Sequence, residues 1–385
     1  MKVLLIGNLA EDRQESMQRF TAMLCTGLQV RGHTVTVLSP TLGLARLAPR
    51  YRYGGIPKYL GYFDKFVLFP RQLRRQVIAS RPDIVHITDH AGAIYGSSVR
   101  GIPTLATCHD LLQVRAARGE IPQQKISRVG RHYQARILRS LAHLSHLACV
   151  SNQTRADVLR LTGLPPPRAS VIANSLNHPY HPISPANAHT QLAGLAAVLG
   201  INPALLDAAN GGFLLQVGGG QWYKNRAGLL VIYAHLRRLL SPAPKLVMVG
   251  PPLEAAHAAL SSQLGVSEHT VVLSGVTNPE LEALYNLAEG LVFPSWDEGF
   301  GWPIAEAQAS GCPVFASNRA PMTEVGGSSS VYFDPENSMG AARVIAAAWP
   351  ERIARRELAL AESRRWQPKL MLDAYETLYR QLTGC

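Results

Sequence analysis

The chain has 385 residues, 47% of them hydrophobic and 17% charged, with a net charge of +12. That composition is globular, and the length suggests about two domains rather than one core. No apolar run approaches the ~18 residues that span a bilayer, and KVLLIGN at the N-terminus enters a strand pattern without the basic, apolar and small-residue order of a signal peptide, so a cytoplasmic protein is expected. The five cysteines (Cys25, Cys108, Cys149, Cys312 and Cys385) are scattered and never spaced C-x-x-C, which argues against a disulfide framework and a thiolate metal site.

The first elements alternate. Residues 2–7 are an apolar run ending in Gly-Asn, 15–29 carry helical spacing (Phe20, Met23, Leu24, Leu28), and 32–38 read as a second strand. This βαβ opening predicts a parallel sheet. Further strands are expected at 84–87, 104–107, 147–150 and 169–172. Between Arg46 and Arg81 nine basic residues face one acid, Asp64, with seven aromatic rings interleaved. Phe66, Phe69, Leu73 and Val77 share one helical face there, and Arg71, Arg74 and Arg75 lie off it. Two readings are open: an interfacial segment on anionic lipid or an acceptor, or a solvated helix packing its stripe on its own sheet. A second run, Arg115 to Arg139, has seven basic residues and only Glu120.

Residues 177–212 break the pattern with Pro, Asn and His, and the alternation restarts at Phe213. Strands are expected at 213–217, 245–249, 270–274, 291–293, 313–316 and 331–333, with helices at 226–240, 254–264, 279–288 and 369–382, the last with an inward stripe of Leu370, Leu372, Tyr375, Leu378, Tyr379 and Leu382. The domains are placed at 1–184 and 185–365, with a final helical segment at 366–385. Charge divides along this line: residues 1–212 carry 24 basic and 10 acidic side chains, residues 213–364 carry 11 and 14. An anionic partner is therefore expected on the N-terminal half: a membrane surface, a phosphorylated acceptor or a polyanion.

The stretch 291–327 has the strongest chemical content. A short buried strand ends in a glycine turn, Pro303 opens a helix, and Gly311 and Pro313 end it. Unpaired N–H groups at that helix start, around Phe300 to Trp302, suit a phosphate. Glu298 lies in the loop, and Glu306 lies one turn into the helix, facing back toward it. Acids beside an anion site make sense if they face sugar hydroxyls, which suggests a nucleotide sugar. VGGGQWYKN at 217–225 adds glycines that admit a ligand and Lys224, a mobile cation for a phosphate. The turn at Gly275 and Val276 lies at the same sheet edge, where open α/β sheets bind ligands. Neither G-x-G-x-x-G nor G-x-x-x-x-G-K-[ST] occurs at the strand ends, so dinucleotide binding and ATP or GTP hydrolysis are not supported.

PSWDEGFGWPIAEAQASGCPVFAS resembles the signature of glycosyltransferase family 4, retaining enzymes of the GT-B fold, whose hallmark is Glu-x7-Glu inside EGFG-x-P…EA…G-x-P-V. The match is Glu298 to Glu306 with Gly299, Phe300, Gly301, Pro303, Ala307, Gly311 and Pro313. VGGGQWYKN is similar to the family's V-G-R…K-N loop, CHD at 108–110 to its His-Asp after an inner strand, and VIANSLN to its V-I-P-N-G-V-D. The resemblance implies two Rossmann-like domains facing across a cleft, with the last helix crossing back to the N-terminal domain. It implies a metal-independent, retaining transfer of a hexose from a UDP- or GDP-sugar to a hydroxyl of a glycan or lipid-linked acceptor, with no cofactor and no nucleic acid partner. By residue, Lys224 would bind the diphosphate and Glu306 the ribose. Glu298, with the N–H groups of Gly299 to Gly301, would face the sugar, and His109 would lie near the reacting centre. Gly218, Gly219, Asn225, Val276 and Phe300 complete the donor set. The departures are Gly219 in place of an arginine, with Arg226 as a candidate substitute, no glycine pair among residues 13–16, and Asn174-Ser175 in place of Asn-Gly. Rival readings are a non-catalytic sugar-nucleotide or polyanion binder of the same fold, and a GT-B epimerase or phosphorylase.

Overall fold

A computed structural model gives the fold, and residues 1–12, 14–43, 60–61, 63–199 and 211–384 are described. Arg13, the aromatic and basic residues from Arg46 to Tyr59, Tyr62 and Cys385 lie outside the described residues. The chain divides into two compact units, Met1–Asn177 with Pro368–Cys385, and His178–Gln367.

The first unit holds a six-stranded parallel sheet of order β2-β1-β3-β4-β5-β6, built from β1 (Lys2–Ile6), β2 (Thr34–Leu38), β3 (Ile84–Ile87), β4 (Thr104–Cys108), β5 (His146–Cys149) and β6 (Ala169–Val171). Helices α1 (Glu15–Val30), α2 (Phe69–Ser80), α3 (Leu112–Ala117), α4 (Arg128–Ala142) and α5 (Asn152–Thr162) supply the crossovers. The inner strands β3, β4 and β5 are buried along their whole length, as expected of parallel strands covered on both faces. Phe69 and Leu73 of α2 are buried, and Phe66 and Val77 pack against the same core, while Arg71, Arg74 and Arg75 are exposed. Of the two readings of this stripe, the one that packs it on its own sheet holds; it is not an apolar face turned to a membrane.

The C-terminal helix Pro368–Thr383 belongs to this unit and buries Met371, Leu372, Tyr375, Leu378 and Tyr379. Leu370, expected on the inward stripe, is 50% exposed, and Met371 takes its place. Gly27 of α1 makes the approach possible: a Cβ there would lie 2.5 Å from Leu372 Cδ1. Polar pairs fix the docking. Arg31 reaches Asp373 at 2.7 Å and Glu376 at 3.1 Å, and His33 meets Glu376 at 2.8 Å. In the core, His86 of β3 bonds the Tyr379 hydroxyl (2.6 Å) and Thr107 (2.7 Å), and Thr107 bonds the Tyr375 hydroxyl (2.8 Å).

Burial, with His109 nearby, pushes the His86 imidazole down to about 3. The group is neutral when folded and ionises near 6.5 when unfolded, so its contribution is complete above that value and is lost as pH falls from 6.5 toward 3. Comparing urea melts of the wild type and His86→Gln at pH 7 and pH 5 should show the stability gap narrowing by ~2 kcal/mol at the lower pH. A gap independent of pH would mean that His86 is not held neutral.

The second unit repeats the plan. Strands β7 (Phe213–Val217), β8 (Lys245–Val249), β9 (Thr270–Leu273), β10 (Gly290–Phe293), β11 (Val314–Ser317) and β12 (Val331–Phe333) form a parallel sheet of order β12-β11-β10-β7-β8-β9. Between them lie α6 (Arg226–Leu239), α7 (Ala255–Gln263), α8 (Asn278–Leu287) and α9 (Trp302–Ala309). Strand order reverses between β10 and β7, the point at which loops part and a doubly wound sheet opens for a ligand. Pro at the start of α8 and α9 and the Thr277–Glu280 capping box explain why the helices begin where they do.

Candidate active site

Two loops at the C-terminal edge of the second sheet carry the chemistry, one after β7 and one after β10. Asn225 laces them together. It sits in a left-handed conformation (φ 51°) as N-cap of α6, its Oδ1 accepts from Gly228 N at 3.1 Å, and its Nδ2 donates to the Pro294 carbonyl at 3.2 Å. Trp296 N donates to the Tyr223 carbonyl at 2.8 Å, a second tie across the same gap.

These ties bring Lys224 to Glu298. Lys224 Nζ lies 2.6 Å from Glu298 Oε1, and the two side chains are only 12% and 10% exposed. The ammonium also lies 5.1 Å from the centre of the Phe293 ring, an additional stabilisation of a cation with little water around it. The Lys224 stem passes beside Gly218, whose Cβ would stand 3.1 Å from Lys224 Cδ. Next to it Gly250, at φ 152°, lets the β8 turn close on the Gly218 carbonyl, which any side chain at 250 would strike.

Gly301 caps α9 at φ 99°, a conformation that glycine adopts without the penalty of a Cβ. One turn in, Glu306 is 5% exposed and accepts from the Tyr285 hydroxyl at 2.9 Å. Burial, with Glu306 adjacent, raises the Tyr285 hydroxyl well above its ordinary value, so Tyr285 stays a donor. It orients Glu306 from below through Oε2.

Phe300 is a buried anchor rather than a ligand wall: its ring packs edge-on against Trp302 (6.1 Å) and Trp366 (5.2 Å), so what it offers a ligand is its backbone. Gly219 and Gly299 lie half-buried in the two loops, and half-buried Val276 lies in the β9–α8 turn immediately before the Thr277 cap.

Arg226, the candidate substitute for the missing arginine, lies at this edge beside polar groups that carry no sequence motif. Arg226 is 3% exposed and donates to the Pro251 carbonyl at 2.9 Å, while its Nε and Nη2 have no protein partner. Burial lowers its pKa against the opposing charge of Glu254. Gln216 Oε1, Ser295 Oγ and Trp296 Nε1 are also buried without a protein partner. Buried polar groups are nearly always paired, so a cluster of them beside Lys224 and Glu298 marks a place built for a polar ligand. A glutamine inside a strand or a serine after one gives no sequence signal of this, because the pairing is missing only in three dimensions.

His109 belongs to the first unit, at the end of β4. It is 5% exposed, its Nε2 lies 3.0 Å from the Thr88 carbonyl, and its ring meets the Phe20 ring edge-on at 4.8 Å. Burial lowers its pKa despite Asp89, which makes a neutral imidazole with Nε2–H donating. Beside it, His90 Nδ1 lies 2.9 Å from Asp89 Oδ1, and Asn8 donates to Asp89 Oδ2 at 2.6 Å. Burial opposes the Asp89 charge, yet His90 and Asn8 outweigh it and hold the carboxyl below the usual range. Asp89 and His90 join His109 at this sheet edge without having been singled out by the sequence.

The two halves match known families separately. Residues 17–178 fit the family described as Glycosyltransferase Family 4, and residues 204–362 fit Glycosyl transferases group 1. The serotype-specific mannosyltransferase WbdA of Escherichia coli is 25% identical over 296 residues, 73% of this chain but 35% of that protein. The O-antigen chain mannosyltransferase B of Escherichia coli is 28% identical over 260 residues, 64% of this chain and 65% of that one. The chain thus matches about a third of the first relative and under two thirds of the second. Among solved structures, Anabaena HepE, in complex with UDP and glucose, superimposes with a TM-score of 0.70 at 17% identity, covering 98% of this chain and 99% of its own. Matched in both halves, and built of two parallel six-stranded Rossmann-like sheets, the chain belongs to glycosyltransferase family 4 and has the GT-B fold.

Proposed function

We propose that the protein is a retaining glycosyltransferase that moves a hexose from a nucleoside-diphosphate sugar to a hydroxyl of a glycan or lipid-linked acceptor in polysaccharide biosynthesis. The relatives' names favour mannose as that hexose. The observation that carries the reading is the Lys224–Glu298 contact of 2.6 Å at the foot of α9, with Glu306 held by Tyr285 one turn further in.

In this reading the donor's diphosphate takes up Lys224 and the first-turn N–H groups of α9. Negative charge grows on the diphosphate as the glycosidic bond opens. A cation and a helix start already aimed at it lower the barrier, because no solvent has to reorganise. Glu298 holds Lys224 in place before the donor arrives and then faces the sugar hydroxyls. Glu306 accepts from the ribose. Same-face attack gives retention, with the leaving phosphate oxygen taking the acceptor's proton.

Lys224 and α9 supply the positive charge, so no divalent ion is required. Turnover in excess EDTA should equal turnover without it, and a loss of activity restored by Mg²⁺ would overturn metal independence. The anomeric configuration of the product, read by NMR, tests retention. The basic first half supports work at an anionic membrane face or on an anionic acceptor, and among the described residues no helix is long and apolar enough to cross a membrane.

A further inference from the structure

The first unit carries a groove on the helices that follow β4. It has a volume of about 300 Å³ and runs between α3 and α4. Val114 and Ala117 line it from α3, Ala135 and Leu138 from α4, with Arg118 and Arg131 among the residues that complete it. The two alanines leave the trough open, and Leu138 and Val114 make it apolar. Helical spacing puts Arg128, Arg131, Ala135 and Leu138 on one face of α4, so the same face that turns apolar toward its C-terminus begins with two arginines.

The charge around the groove is unbalanced. Helix α4 has no acidic residue. Glu120 is already shared by Arg118 (3.3 Å), Arg160 (2.8 Å) and Arg115 (3.6 Å). Arg128 and Arg131 are exposed and have no acidic partner among the described residues. Val129, beside them, is 66% exposed, and the helix start adds its own partial positive charge. The groove therefore offers an apolar trough at one end and an anion site at the other, and a hydrocarbon chain ending in a phosphate complements both.

We propose that the α3–α4 groove takes up one acyl chain of an anionic phospholipid, with the phosphate on Arg128 and Arg131, and so seats the first unit on a membrane. The inference rests on the anionic-surface part of the function proposed above and gives it a site. It does not depend on the donor chemistry.

The test uses the full chain and vesicles of phosphatidylcholine with and without phosphatidylglycerol. Sedimentation should show binding only with phosphatidylglycerol. Ala135→Trp, which fills the trough, should weaken that binding roughly tenfold, Arg131→Gln roughly fivefold, and Ala135→Ser should bind as the wild type does. In a measurement that needs no groove variant, monododecyl phosphate should displace the protein from vesicles at concentrations where inorganic phosphate does not. Wild-type binding that Ala135→Trp leaves unchanged, or equal displacement by the two phosphates, would reduce the effect to surface charge and overturn the groove. No binding to either vesicle would overturn the membrane reading itself and leave the transfer reading standing.

Discussion

Lys224→Met should lower kcat/KM for the donor about 1000-fold, the effect of removing one preorganised charge from a developing anion. The same change should also cost stability, because it leaves Glu298, whose side chain is 10% exposed, without its cation. The two effects can be separated. Lys224→Met with Glu298→Gln removes both charges and should recover most of the melting temperature while leaving turnover as low as in the single variant. Recovery of turnover together with stability would reduce Lys224 to a structural partner of Glu298.

The second large effect is on folding. Tyr375 and Tyr379 are fully buried in the first unit, and their hydroxyls close the His86–Thr107 network. Tyr379→Ala should destabilise the first unit by ~4 kcal/mol, as large-to-small changes at buried aromatics do, with an added cost from leaving His86 Nδ1 without its hydroxyl partner. A shortened chain ending at Gln367 should fare worse, since it uncovers the core residues that Met371, Leu372 and Leu378 pack against. Urea unfolding of the full-length variant would read the first effect. A transition midpoint equal to the wild type's would mean that the C-terminal helix is an accessory to the unit rather than part of its core.

Much of this was legible in the sequence because the two kinds of signal were strong. The strand expected at 245–249 is β8 without change, and those at 84–87 and 331–333 are β3 and β12, because parallel strands covered on both faces are short continuous apolar runs. Glu298 and Glu306 were legible through their fixed spacing around a glycine turn and a helix start. The C-terminal helix was legible as an amphipathic stripe, but its exact face was not. Leu370 and Met371 are both apolar, and only the fit of Leu372 over Gly27 decides which of them turns inward.

Pairing was the part that periodicity did not reveal. Lys224 and Glu298 are 74 residues apart, and nothing in either loop says that they touch until Asn225 and Trp296 lace the loops together. The basic stretch around α2 left two readings open for a related reason. Its apolar stripe satisfies an interfacial helix and a core-facing helix equally, and the outcome depends on whether β3 and its neighbours leave a face for it. They do, and Phe69 and Leu73 fill it. Gln216, Ser295 and Trp296 are distinguished only by what they lack, a partner in the folded chain.

The central claim is that a nucleotide sugar reacts at the Lys224–Glu298 edge of the second unit. The most direct measurement is nucleoside-diphosphate release from GDP-, UDP- and ADP-hexoses, with glycan acceptors present, by the wild type and by Lys224→Met. The wild type should turn over one of these donors, and the variant should be at least about 100-fold slower on the same donor. Equal rates for the two proteins, or no release from any donor, would contradict it.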